Sequence, residues 1–173
     1  MRIIAGKWRG RPLIAPAGLA TRPTSDRTRE ALFSMLASRV GSFEGLEVAD
    51  IFAGSGTLGL EALSRGAARC TFVDNDRAAV DAIRANLATL GAEADVRAGN
   101  AESVRFTAPL DIVFLDPPYG SGLADKVIAT LPLACGAWVS VETSRAEQVA
   151  ASGLEVQVER THGKAKITLL RRP

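Results

Sequence analysis

The chain has 173 residues, 47% of them hydrophobic and 23% charged, with a formal net charge of +2. That length suffices for one domain with a real core, and no apolar run nears the roughly 18 residues of a membrane helix. The opening "MRIIAGKWRGRP" lacks a long apolar region, so no secretory signal is expected and the cytoplasm is the expected location.

Cys70 and Cys135 sit in apolar segments without metal-ligand neighbours. Both are expected to be buried thiols in a reducing compartment, with neither a disulfide nor a metal site. The charge is unevenly divided. Residues 1–29 hold seven Lys/Arg against one acid, residues 30–154 nine against sixteen, and residues 155–173 five against two. An acidic body with basic ends suits a polyanionic partner, and it equally suits solvated arginines that keep the protein soluble.

In chain order, "RIIAGKWRGRPLIAP" reads as a small glycine-punctuated β-hairpin outside the main sheet. "RPTSDRTREALFSMLASRV" follows, with Pro23 and a Thr/Ser/Asp cluster opening a helix whose Leu32, Met35 and Leu36 face the core. Strands are then expected over 47–52, 69–73, 94–98, 110–115 and 137–142, alternating with helical segments. The helix after the second strand carries Val80, Ile83, Leu87 and Leu90 on one face and ends at Gly91. A further helix begins near Leu123. Such alternation implies a mostly parallel sheet covered on both faces, an α/β Rossmann-like fold with right-handed crossovers. "LEVQVERTHGKAKITLLRR" alternates on both sides of "THGK" and reads as a C-terminal antiparallel hairpin, making seven strands in all. His162, the sole histidine, is placed in that turn as an exposed residue.

"DIFAGSGTLGLEA" sets Gly54, Gly56 and Gly59 in G-x-G-x-x-G spacing between a strand and a helix, and Asp74 ends the next strand. Glycines there let backbone approach a nucleoside, and an acid at that point accepts hydrogen bonds from ribose hydroxyls. A dinucleotide and S-adenosylmethionine both fit this geometry. Asp50, just before the loop, suits a ligand bearing an ammonium or sulfonium better than a pyrophosphate, which wants N–H donors. The fourth strand then stops at Asp116-Pro117-Pro118-Tyr119, where two prolines freeze the backbone behind an acid and an aromatic ring.

"DIFAGSG" resembles motif I of class I methyltransferases. That resemblance implies cofactor contacts from Asp50, Ala53, Gly54, Ser55 and Gly56, and makes "VDND" the acidic second motif with Asp74 and Asn75. It also puts Asn100 and Ala101 of "GNAE" against adenine, although Asn100 reads equally as a helix cap. "DPPY" is similar to the motif of enzymes that methylate planar nitrogen. An exocyclic amine is a poor nucleophile because its lone pair is delocalised. Asp116 and the Pro117 carbonyl can accept its N–H bonds, Pro118 stiffens the turn, and Tyr119 offers a stacking face to a base drawn out of its helix.

The N-terminal "MRIIAGKWRGRPL" with "RPTSDRTREALFSML" closely resembles the RsmD family. The likeness spans nearly the whole chain and carries Arg22, Pro23, Thr24, Asp26, Arg27, Arg29 and Glu30 of that family's pattern. It implies S-adenosylmethionine-dependent methylation of guanine N2 in 16S ribosomal RNA of the small subunit, by a monomer without a metal. Residues 1–23 are then a basic appendage and 24–173 the catalytic core of one domain. Lys7, Arg9, Arg11, Arg22 and Arg27 are candidates for RNA contact, and Trp8 for packing. DPPY alone does not separate guanine N2 from adenine N6 or cytosine N4. A nicotinamide-dependent oxidoreductase would leave DPPY without a role, and a non-catalytic RNA-binding module would leave Asp74 without one.

Overall fold

Short β-branched and apolar stretches between capped helices give the chain its strand–helix rhythm, and the computed structural model, which describes residues 1–16, 26–150 and 153–173, shows how they assemble. The elements are α1 (Asp26–Val40), β1 (Glu47–Ile51), α2 (Thr57–Ser64), β2 (Arg69–Asp74), α3 (Arg77–Leu90), β3 (Asp95–Ala98), β4 (Leu110–Leu115), α4 (Leu123–Ile128), β5 (Leu133–Ser144), β6 (Glu155–His162) and β7 (Ala165–Arg171). They form one seven-stranded sheet in the order β3-β2-β1-β4-β5-β7-β6. The first five strands are parallel, and β7 enters antiparallel between β5 and β6. The expected opening of α1 at Pro23 lies outside the described residues, as does Arg22.

Each face of the sheet has its own core. Phe72 and Phe114 pack with Leu32, Phe33 and Leu36 of α1, Leu60 of α2 and Ile83, Leu87 and Leu90 of α3. The alternate residues Ile51, Val73, Leu115 and Val141 turn to the other face, where α4 covers them with Ala124, Val127 and Ile128. Period-two alternation along the strands thus sorts neighbouring residues onto opposite layers. Phe33, unnoticed in the sequence beside Leu32, is fully buried and stacks 5.5 Å from Phe114, while Met35 is only half-buried. For α3 the ends are plain: the Asp76 side chain accepts the Ala78 N–H at 2.7 Å, and Gly91 closes the helix in the left-handed conformation.

Several expectations need correction. Cys70 is buried but Cys135 is exposed, because β5 begins at Leu133 and its first residues run along the sheet's open end. His162 is the last residue of β6 and half-buried, with the turn formed by Gly163 and Lys164. Expected hairpin strands at the N-terminus reduce to one antiparallel bridge, Arg2 to Pro12.

That N-terminal segment is fastened to the back of α2 and α3. Glu61, wholly buried, accepts the Ile4 and Ala5 N–H groups at 2.8 and 3.0 Å and pairs with Arg65 at 2.8 Å. The Ser64 hydroxyl accepts the Trp8 N–H at 3.0 Å and donates to the Ala5 carbonyl. Gly6 has φ +83°, and a Cβ there would fall 1.9 Å from the Ser64 carbonyl oxygen, so only glycine allows this approach. Asn86 of α3 holds Ile14 through both its N–H and its carbonyl, at 2.8 and 3.0 Å.

Candidate active site at the carboxyl ends of the strands

Ligands of open parallel sheets bind beyond the carboxyl ends of the strands, where strand order reverses direction. Here that point lies between β1 and β4. The register pairs Ile51 with Val73 and Leu115, and Leu115 with Val141. One step further along, Asp74, Phe52, Asp116 and Glu142 therefore stand in a row across β2, β1, β4 and β5. Neighbouring strands are about 4.8 Å apart, so this row sets three carboxylates and a phenyl ring along one edge. All four line a cavity of about 410 Å³, together with Gly54, Asn75, Asp76, Ala79, Pro117, Pro118 and Tyr119.

Phe52 carries φ +63°, the only positive value at a non-glycine residue among the described residues. Such a conformation is sparsely populated for a residue with a Cβ. It breaks the strand alternation after Ile51, and the ring joins the cavity wall.

Behind the row, the glycine loop is tied down from within. Gly54 donates its N–H to Asp74 Oδ2 at 2.8 Å, Gly56 to the Ala53 carbonyl at 2.7 Å, and Gly59 to Asp50 Oδ2 at 2.8 Å. A Cβ on Gly59 would meet the Phe72 ring at 2.3 Å and Cys70 Sγ at 2.6 Å, so α2 lies on β2 only because this residue has none. The second Asp74 oxygen accepts the Asp76 N–H at 2.9 Å, which fixes the β2–α3 turn. A carboxylate has about four acceptor positions, so lone pairs remain on Asp74 toward the cavity.

The acids differ in environment. Asp50 is 3% exposed and lies beneath the loop instead of on the cavity wall. Burial pushes its pKa up to about 8 against the Gly59 hydrogen bond, and the charges of Asp116 and Asp74 add to the rise. Asp116 is exposed along the cleft, while strand ends hem in its carboxyl from the other sides. That burial, with the charge of Glu142, raises it to about 7. Tyr119, 42% exposed, donates its hydroxyl to Glu142 Oε1 at 3.0 Å. Next to it the Gly120 N–H reaches Glu147 Oε2 at 2.9 Å, so Glu142 of β5 and Glu147 just after it hold the turn after β4.

Of the residues singled out in the sequence, Gly54, Asp74, Asn75, Asp116, Pro117, Pro118 and Tyr119 share the cavity. Ala53, Ser55 and Gly56 belong to the loop behind it. Asn100 is exposed and its side chain accepts the Glu102 N–H at 3.0 Å, capping a turn, while Ala101 is buried beside it. Lys7, Arg9, Arg11 and Arg27 are exposed, and none pairs with an acid among the described residues. Trp8 is half-buried against the core with the Lys7 ammonium 5.2 Å from its ring centre. Phe52 and Glu142 were passed over in the sequence. For Glu142 a signal existed, an acid closing the apolar run "AWVSV" just as Asp116 closes "IVFL".

The strand order is that of the class I methyltransferase fold. The model of the family described as "Conserved hypothetical protein 95" matches residues 1–171, and the chain belongs to that family, the RsmD family. It is 47% identical to Ribosomal RNA small subunit methyltransferase D of Escherichia coli over 135 residues, 76% of this chain and 66% of that protein. The chain thus spans just under two thirds of that relative. The solved structure of the Escherichia coli protein yhhF superposes with a TM-score of 0.87 at 41% identity, covering 99% of this chain and 97% of that one. A precorrin-6y C5,15-methyltransferase from Geobacter metallireducens, 17% identical with a TM-score of 0.72 over 91% of this chain and 94% of that one, shares the fold.

Proposed function

We propose that the protein transfers a methyl group from S-adenosylmethionine to the exocyclic N2 amine of a guanine in 16S ribosomal RNA of the small subunit. The observation that carries the cofactor assignment is the state of the glycine loop. A pyrophosphate needs unpaired N–H donors at the helix start. The Gly54, Gly56 and Gly59 donors are all engaged by the protein, two of them by carboxylates. An edge carrying Asp74, Asp116 and Glu142 repels phosphates and favours a cationic ligand. The names of the RsmD relatives support the RNA substrate and leave the atom methylated to the chemistry of the site.

S-adenosylmethionine supplies, when bound, an electrophilic methyl group on a positively charged sulfur. Asp74 and Asn75 would hold its ribose, and Gly54 would let its backbone lie close. The remaining work falls to DPPY. Asp116 and the Pro117 carbonyl accept the amine's N–H bonds and turn its lone pair toward the methyl group. An ordinary carboxylate is a weak acceptor for the proton that N2 loses, but one raised to about 7 is matched to neutral pH. The Tyr119 ring covers the flipped base, and the prolines keep these acceptors from rotating. Lys7, Arg9, Arg11 and Arg27 would meet RNA phosphates.

Transfer of labelled methyl from S-adenosylmethionine to small subunits, bare 16S RNA and DNA in parallel, followed by nucleoside analysis, tests the reading. Label in N2-methylguanosine from ribosomal RNA is expected. Label only in N6-methyladenine or N4-methylcytosine would refute the guanine assignment.

A further inference from the structure

Hydrogen bonds to a 2-amino group alone leave much of a base unread. Guanine presents two donors side by side, N1–H and N2–H, whereas adenine and cytosine each present one amine next to a ring nitrogen with a bare lone pair. A site that recognises guanine by its edge therefore needs a second acceptor beside the one on the amine.

Glu142 occupies that place. It follows Val141, which pairs with Leu115 just before Asp116, so Glu142 and Asp116 are neighbours across the β4–β5 ladder. Both line the cavity with the Tyr119 ring. The Tyr119 hydroxyl donates to Glu142 Oε1 at 3.0 Å, which orients a carboxylate that has about four acceptor positions in all. One N2–H runs parallel to N1–H and the other points away from it, so acceptors on two adjacent strands can take N1–H and the outer N2–H. Tyr119 joins the two functions, its ring covering the base and its hydroxyl aiming the acid that reads it.

We propose that Glu142 accepts the N1–H of the target guanine while Asp116 holds N2, so that the pair selects guanine over other amino-bearing bases. This rests on the guanine-N2 reading above. For adenine or cytosine the ring-nitrogen lone pair would face the Glu142 carboxylate, a repulsive contact in place of a hydrogen bond. Sites built to hydrogen-bond one donor reject analogues lacking it by large factors, because the buried acceptor is left unpaired. Accepting N1–H also sends electron density toward N2, where the lone pair is needed.

The test uses small subunits whose methylated position, once mapped, carries either guanosine or 2-aminopurine. The analogue keeps the 2-amine but has no proton on N1. Single-turnover rates of the parent enzyme are expected to favour guanosine by about a hundredfold or more. In Glu142→Gln the side-chain amide can donate to a bare N1, so that preference is expected to shrink at least tenfold. Loss of O6 in the analogue affects both enzymes alike and cancels in this comparison. Tyr119→Phe, which keeps the ring but removes the hydroxyl bond to Glu142, is expected to shift the preference the same way by a smaller factor. Cofactor binding by each variant serves as the check that it folds. An unchanged guanosine preference in Glu142→Gln with cofactor binding intact overturns the assignment of Glu142 while the guanine-N2 reading stands. Failure of the parent to methylate N2 of either base overturns both together.

Discussion

The acidic cleft and the basic N-terminal segment meet the same short helix, α2, at opposite ends, and they are built in different ways. At the N-terminal end of α2, a continuous sequence motif folds on itself. Gly54, Gly56 and Gly59 are tethered within the loop or to the ends of the two adjoining strands. Toward the other end, Glu61 and Ser64 reach residues more than fifty positions away, capturing Ile4, Ala5 and Trp8. The first region concentrates carboxylates, and burial, with their mutual repulsion added, raises the pKa values of two of them. The second offers exposed cations, Lys7, Arg9 and Arg11, from a backbone that the body holds in place. On the proposed function, the first region would serve chemistry on a positively charged cofactor and an amine, and the second would hold a polyanion beside it.

The largest effect that separates the two regions is expected at Asp116. Asp116→Ala should lower single-turnover methyl transfer by about a hundredfold or more, since it removes both the amine's acceptor and the group that receives its proton. Binding of cofactor and of RNA should change little. Asp116→Asn should be milder because its carbonyl oxygen still accepts. The sign of the pH dependence follows from the raised pKa: Asp116 works when ionised, so transfer should fall as pH drops through about 7. In Asp116→Asn that loss should vanish, and a parent rate flat from pH 6 to 8 (roughly a unit either side) would contradict the role.

Comparable in size is the attachment of the N-terminal segment. Glu61→Ala strips two backbone N–H groups and Arg65 of a buried partner. A cost of about 3 kcal/mol or more is expected, measured by denaturant unfolding, with loss of RNA affinity before loss of cofactor affinity. If Glu61→Ala weakened cofactor and RNA equally, the two regions would not be separable as described.

How much of this was legible in the sequence divides along the same line. Strand–helix alternation, the glycine loop, Asp74 and DPPY are local patterns, and the structure brings them to one edge. Nothing local announces that Glu61 is the anchor of residues 4 and 5, because a Glu in "LEALSRG" looks like a solvated helix residue. Arg29 is hidden in the same way: it reads as part of a basic run but is 1% exposed, bonded to the Arg2 carbonyl and to Asp26. Phe52 could not be placed because its positive φ contradicts the propensity of its type. Glu142 was overlooked since its partner Tyr119 lies 23 residues earlier and meets it only across the sheet. Cys135 misled because an apolar segment was taken for a buried one.

A smaller effect is expected at Asp74. Asp74→Ala removes the ribose acceptor and also frees the Gly54 and Asp76 N–H groups. Hydrogen bonds to charged groups are worth about 1.5–3 kcal/mol, so S-adenosylmethionine should bind roughly tenfold or more weakly by calorimetry, with RNA affinity kept. Smallest per residue is the surface charge. Neutralising Lys7, Arg9 and Arg11 together should flatten the slope of log RNA affinity against log salt by about 2 to 3, leaving cofactor affinity untouched. A slope equal to the parent's would move the RNA contacts elsewhere, to Lys164, Arg171 or Arg172, since Lys166 is buried and paired with Glu159 at 3.1 Å.

The most direct measurement of the central claim is a pair of calorimetric titrations of the parent protein, one with S-adenosylmethionine and one with NAD. With its glycine donors already engaged and carboxylates along the cleft, the protein should bind the sulfonium cofactor at one site and show no saturable heat with the dinucleotide. Saturable binding of NAD, with none of S-adenosylmethionine, would contradict the account.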